Sequence, residues 1–247
     1  MAKTRQNAES WKPPTHLSKE ELVKISDGIL AEPDIPYTET EDVFRINANG
    51  MNWDIGCMVY EPTDPTKVPT GPDGNKLGIF MTHGGASDWR SIERLARCFV
   101  GKRGYKVCSM TYPGRLYLPD PSRDWPDDTV HEDGSVRTPI WLSDEYISRD
   151  EYDVVNDTSL REIYGSRSYA RAREGSNFYY RMAAWPIAFE EGMLDICRRH
   201  LPVGEYSVFT HGHSTGGPFS HYLLQRIENG KGLIGIENSP FAYIFRK

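Results

Sequence analysis

Several things are scarce in this 247-residue chain, and each scarcity excludes something. No stretch approaches the roughly 18 consecutive apolar residues of a transmembrane helix, so no membrane span is predicted. The four cysteines (Cys57, Cys98, Cys108 and Cys197) lie far apart with no Cys-x-x-Cys. They are too few for a disulfide scaffold of this size and too scattered for a zinc site, which predicts buried free thiols. The start, Met1 to Gln6, leads into polar residues without an apolar signal core, so no secretory signal is read and a cytoplasmic location is expected. Basic excess is also missing. The net charge is −6 and the pI near 5.7, which argues against a nucleic-acid partner. The apolar share, about 41% with glycine counted and tyrosine left out, lies below the usual range of about 45–50%. A core can be buried, but much of the chain must be surface or loop. The length suits one large domain, or one core carrying an insertion.

What is present falls into an ordered pattern. Residues 1–17 are polar, contain Pro13-Pro14 and read as an arm. Ser18-Lys19-Glu20-Glu21 is a capping box, and Leu22, Ile25 and Ile29 follow at helical spacing, predicting a short helix over about 19–30. The N-terminal segment is thus 1–40, ahead of a core over 41–247. Val43, Phe44 and Ile46 form one strand-like run and Met51 to Tyr60 another. Asn49-Gly50 between them is a hairpin signal.

Beyond a proline-rich loop at 62–75 the alternation changes. Leu77 to Met81 is a short buried-type strand ending in Thr82-His83-Gly84-Gly85. A helix is predicted from about Ser91 to Lys102, then a second strand from Tyr105 to Met110, closed by Pro113-Gly114. Strand–helix–strand is the mark of a parallel βαβ unit. Residues 115–177 interrupt it, with 14 acidic residues against 8 arginines and no lysine. A structureless loop of that length is unusual, and its seven tyrosines and tryptophans suggest a lid over the sheet rather than a solvated decoration. The alternation then resumes. A helix is predicted over Phe178 to His200, kinked if at all at Pro186, and a third strand over Tyr206 to Thr210. A helix over Pro218 to Glu228 and a fourth strand over Leu233 to Ile236 complete it. The fold class expected is α/β, a mostly parallel sheet with helices on both faces.

Gly212-His213-Ser214-Thr215-Gly216 lies between the third strand and its helix. The spelling is G-x-S-x-G, in the context that motif demands. A nucleophile on a sharp strand-to-helix turn needs small neighbours two residues before and after, and the helix N-terminus favours developing negative charge. The bland alternative is a glycine-rich turn with a capping serine. An acyl-transfer enzyme also needs backbone N–H donors about 3 Å from the oxyanion. One is expected from Thr215, the others from the loop after the first parallel strand, where Gly84 and Gly85 sit. His83 is read as pinning that loop rather than acting in catalysis.

These residues, with Tyr112-Pro113-Gly114-Arg115, give the chain a resemblance to the α/β-hydrolase superfamily from about residue 40 onward. The resemblance implies Ser214 as nucleophile and Gly84, Gly85 and Thr215 as oxyanion hole. It places His83, His213 and Tyr112 at the substrate. It also implies ester, amide, peptide or thioester substrates, and no metal or organic cofactor.

The departure is the base. The family's triad runs Ser, then Asp or Glu, then His. After Ser214 the only histidine is His221, about 10 Å along the helix and aimed away. Glu237 is the one acid placed to serve. The sequence therefore resembles a hydrolase lacking the C-terminal part that carries the histidine. Three explanations stand open: a portion of a longer hydrolase, a second chain or oligomer completing the sheet, or a base out of order among His83, His131, His211 and His213. The sheet would then carry an unpaired edge near Leu233–Ile236. His211-x-His213 shares one strand face, but no third metal ligand is readable. The function expected is a serine hydrolase acting on a carboxylic ester or amide. The alternative is a non-catalytic or truncated relative that binds a small ligand or needs a second chain.

Overall fold

The chain doubles back first at Asn49 and Gly50. Both hold left-handed backbone (φ 54° and 78°), the two-residue turn whose twist matches a hairpin's strands. It joins β1 (Tyr37–Ala48) to β2 (Met51–Pro62), antiparallel with Ala48 opposite Met51. The computed structural model in which this is seen describes residues 17–84, 89–113, 149–157 and 167–236. Two units divide it, residues 1–34 and 35–247. The first contains helix α1 (Lys19–Ala31). Its capping box is formed: the Glu21 amide donates to Ser18 Oγ at 3.2 Å, and the Ser18 amide to Glu21 Oε2 at 2.8 Å. No α1 residue is buried, and Leu22 and Ile25 are both exposed.

In the second unit the βαβ alternation is present. The strands β3 (Lys76–Thr82), β4 (Lys106–Thr111), β7 (Tyr206–His213) and β8 (Gly230–Ile236) run parallel to one another. With β2 antiparallel to β4, the six-stranded order is β1-β2-β4-β3-β7-β8. Among the described residues β8 is an edge, paired to β7 alone. The helices are α2 (Glu93–Arg103), α3 (Asn177–His200) and α4 (Gly216–Arg226).

Strand alternation divides the core into two layers. Ile79, Met81 and Val107 pack under α2 with Ala96 and Val100. Phe80, Cys108, Met110 and Val208 face the other way, under Phe189, Met193 and Ile196 of α3 and Leu223 of α4. Helices therefore cover both faces of a mostly parallel sheet, as the alternation predicts. Helix α3 runs through Pro186 without ending there.

Within the insertion, β5 (Tyr152–Asp157) and β6 (Arg167–Ala172) form a separate antiparallel pair. The expectation of a lid over 115–177 falls largely on residues 115–148 and 158–166, outside the described ones. All four cysteines are free thiols, with Cys57, Cys108 and Cys197 buried and Cys98 half-buried. Among the described residues no helix is long and apolar enough to cross a membrane, and no cluster of three or more His, Cys, Asp or Glu could hold a metal ion.

Candidate active site

β7 ends later and α4 begins earlier than hydrophobic patterning suggests. The strand continues through His211-Gly212-His213, and the helix starts at Gly216, so only Ser214 and Thr215 make the turn. Patterning stops at the glycines because they carry no side chain to read. Packing shows why they are there. A Cβ on Gly212 would lie 2.5 Å from Gly217 Cα and 2.6 Å from the Gly216 carbonyl oxygen. On Gly216 it would lie 2.6 Å from the His83 carbonyl oxygen and 2.7 Å from that of Thr82. Both clashes are with backbone, which cannot swing aside, so strand, turn and helix approach this closely only with glycine at both places.

Ser214 itself is left-handed, φ 53°, one of two non-glycine residues so placed among the described ones. Serine in that region costs on the order of 1–3 kcal/mol, which the surrounding contacts must hold. The turn leaves Ser214 half-buried with Thr215 exposed beside it. Thr215 is the N-cap of α4, yet no side chain caps the helix. Its first-turn N–H groups therefore keep their positive end directed at the turn.

The loop after β3 meets this turn. A Cβ on Gly84 would stand 3.6 Å from Ser214 Cβ and 3.4 Å from His213 Nδ1, which places Gly84 and the half-buried His213 ring beside the serine. His83 is fully buried, and its Nδ1 lies 2.6 Å from the Gly84 carbonyl oxygen. A carbonyl only accepts, so Nδ1 carries the proton. The ring stacks on Tyr112 with centroids 3.9 Å apart, and the Tyr112 hydroxyl donates to the His83 carbonyl. Tyr112 in turn meets Phe189 and Phe219 edge-on, with centroids 4.9 and 5.6 Å away. Trp185 Nε1 donates to the Pro113 carbonyl at 2.9 Å. An aromatic wall thus backs the His83–Gly84 loop. Gly85, the other expected oxyanion donor, lies outside the described residues, as do Glu237 and His131.

His211 and His213 share a strand face, two residues apart. His211 is buried against the edge of Phe99, centroids 6.2 Å apart, and neither ring nitrogen has a hydrogen-bond partner. Burial, with a smaller contribution from His213, pushes its pKa down to about 4, so it is neutral at pH 7. His221 is exposed on α4.

Two features escaped sequence reasoning. Thr82 Oγ1 lies 2.8 Å from the Gly216 carbonyl oxygen and 2.7 Å from Ser220 Oγ, and Ser220 Oγ lies 2.7 Å from the His211 carbonyl oxygen. Both side chains are fully buried. Neither belongs to a motif, so only packing reveals them. The second feature is a histidine–carboxylate pair, His200 Nε2 to Asp42 Oδ2 at 2.7 Å. Asp42 is on β1, four strand spacings from β7 or about 19 Å, too far to serve Ser214.

No model of a known protein family matches the chain, and no curated protein does. Solved structures do show similarity. A dienelactone hydrolase-like promiscuous phosphotriesterase, P91, from metagenomic libraries is 12% identical, with a TM-score of 0.37 over 81% of this chain and 59% of that one. Vibralactone cyclase is 12% identical, with a TM-score of 0.40 over 95% and 58%. The fluorophosphonate-binding serine hydrolase F of Staphylococcus aureus is 13% identical, with a TM-score of 0.39 over 82% and 58%. The chain spans less than two thirds of each. On its own strand order, with a serine elbow at the end of β7 and a glycine loop at the end of β3, the chain has an α/β-hydrolase-type fold.

Proposed function

We propose that this chain is a serine hydrolase that cleaves a carboxylic ester or amide through an acyl-enzyme on Ser214. One observation carries the reading: a left-handed serine on a two-residue strand-to-helix turn, with Gly84 in van der Waals reach. Strain at such a position is retained where it aims a side chain, and a serine at an uncapped helix N-terminus is aimed where negative charge develops.

In this reading Ser214 Oγ attacks the substrate carbonyl carbon. The carbonyl oxygen gains the charge and is held by the Thr215 N–H and the N–H groups of Gly84 and Gly85. The Oγ proton passes to a general base. The adduct collapses, the alcohol or amine leaves with a proton, and water resolves the ester on Ser214. Half-buried His213 bounds the substrate side, whereas His83 and Tyr112, expected there too, are buried and back the loop instead of facing substrate. The acidic insertion disfavours anionic substrates. We take the base to come from further chain or from a second polypeptide completing the sheet. His213 stands beside the serine, its Nδ1 against Gly84.

The test is a fluorophosphonate probe on the purified chain, with the modified peptide identified by mass spectrometry. Ser214 is expected to be labelled slowly in the chain alone, faster once the base is supplied, and a Ser214→Ala chain to be inert. Labelling that needs a second polypeptide supports a two-chain site. No labelling under either condition ends the reading. A second reading, a binding protein built on the same sheet, draws on one observation. The histidine–carboxylate pair of His200 and Asp42 stands about four strand spacings from Ser214, too far to activate it.

A further inference from the structure

The oxyanion position in the proposed site lies between two separate pieces of backbone, the loop after β3 and the start of α4. Their separation must hold to within a fraction of an ångström for both sets of N–H groups to reach one oxygen. Van der Waals contact between Gly216 and the Thr82 and His83 carbonyls limits how near they come, but contact has no direction and does not stop sliding or parting.

We propose that the buried hydroxyls of Thr82 and Ser220 form a positioning pair that holds the first turn of α4 against the ends of β3 and β7. The proposal rests on the reading of Ser214 as the nucleophile. Thr82 is the last residue of β3, immediately before the His83–Gly84 loop. Ser220 stands in the second turn of α4, four residues after Gly216, on the same helix face. Their oxygens are 2.7 Å apart. Two protons serve this pair, and two carbonyls adjoin it: Gly216 at the start of α4 and His211 on β7. One proton lies between the hydroxyls, since two oxygens at that distance repel without one. The other goes to one carbonyl. The run is therefore Thr82 to Ser220 to the His211 carbonyl, or Ser220 to Thr82 and on to the Gly216 carbonyl at 2.8 Å or the His211 carbonyl at 3.3 Å.

The first direction ties β3, α4 and β7 through one dry junction; the second ties β3 to α4, and Thr82 Oγ1 also lies 3.3 Å from the His211 carbonyl oxygen of β7. Both hydroxyls are satisfied, and both side chains are fully buried, so water does not compete. Threonine suits the β3 end because its branched carbon restricts χ1 and so fixes where the hydroxyl points. The pair touches no substrate. It acts through the Gly216 backbone, two residues from Ser214.

The test is saturation kinetics of fluorophosphonate labelling on the full chain. Thr82→Val keeps the shape and removes the hydroxyl, and Ser220→Ala removes the partner. Each is expected to lower the maximal labelling rate by about tenfold while leaving half-saturation unchanged, because misplacement of the donors acts on the transition state. Thr82→Ser restores the hydroxyl and is expected to label within about twofold of the parent chain. The Thr82→Val/Ser220→Ala chain is expected to be no slower than the slower single variant, because the two act as one unit. Labelling of either single variant at the parent rate, or Thr82→Ser as slow as Thr82→Val, overturns the proposal. Failure of the parent chain to label, both alone and with a second polypeptide present, sinks the nucleophile reading instead. Amide exchange over residues 215–217 then decides the pair: faster in Thr82→Val and parent-like in Thr82→Ser supports it, and no difference overturns it.

Discussion

Gly84 and Ser214 face each other across the mouth between β3 and β7: a side-chain carbon on the first would rest 3.6 Å from Cβ of the second. That is ordinary contact distance, whereas the same carbon on Gly216 would fall 2.6 Å from the His83 carbonyl oxygen. The two glycines therefore separate packing from chemistry. Gly216→Ala is expected to cost on the order of 1–3 kcal/mol, since the clash is with backbone. Gly84→Ala is expected to hold its melting temperature within a few degrees yet to label more slowly, by about tenfold, because the added methyl narrows the approach to Ser214. Thermal melts beside probe labelling check both. A Gly84→Ala chain labelling at the parent rate would put Gly84 outside the site.

Ser214 carries strain that glycine does not. Ser214→Gly is expected to be at least as stable as the parent, the relieved left-handed backbone offsetting the extra freedom of the unfolded glycine, while losing all labelling. Urea titration reads the first part. A chain destabilised by more than about 1 kcal/mol would mean that the hydroxyl is structural.

His211 makes the fold acid-sensitive. Its pKa is pushed down to about 4, below the ordinary value of 6.5. Between those pH values the unfolded chain binds the proton and the folded chain does not, so stability is complete above pH 6.5 and falls as pH drops toward 4. The loss amounts to at most about 3 kcal/mol. His211→Phe is expected to flatten melting temperature against pH across that window. An unchanged slope would assign the acid sensitivity to other groups.

The Tyr112 hydroxyl donates to the His83 carbonyl inside the protein. Tyr112→Phe keeps the stack and leaves that carbonyl with one donor fewer. The expected cost is about 1 kcal/mol, or a fall of roughly 2–4 °C in melting temperature, with slower labelling of Ser214. Equal melting and equal labelling would mean that the hydrogen bond holds nothing in place.

Cys57, Cys108 and Cys197 are buried, and burial holds the Cys57 and Cys197 thiols well above their usual pKa. Disulfide-exchange reagents at pH 8 are expected to modify Cys98 first, the other three reacting only on unfolding. Fast reaction of a second thiol would place another cysteine within reach of solvent.

The hairpin was legible because Asn49-Gly50 names its own turn, and the βαβ alternation because short apolar runs and helical spacing differ in period. The elbow was legible as a motif, but its boundaries were not. Gly212, Gly216 and Gly217 look like a loop to any pattern of side chains, yet they lie inside β7 and α4. Thr82 and Ser220 were invisible, since a threonine ending a strand and a serine in a helix are ordinary in one dimension.

Local order in the chain, then, is written in residue types whose effect needs no distant partner: a capping serine, a turn glycine, an apolar step of two or four. Which groups stand near Ser214 is another matter. Residues 82–84, 112 and 211–220 are brought together by strand order across the sheet, with β3 beside β7 and β4 beyond. That order depends on which apolar faces bury each other, a property of the folded whole that no local stretch encodes.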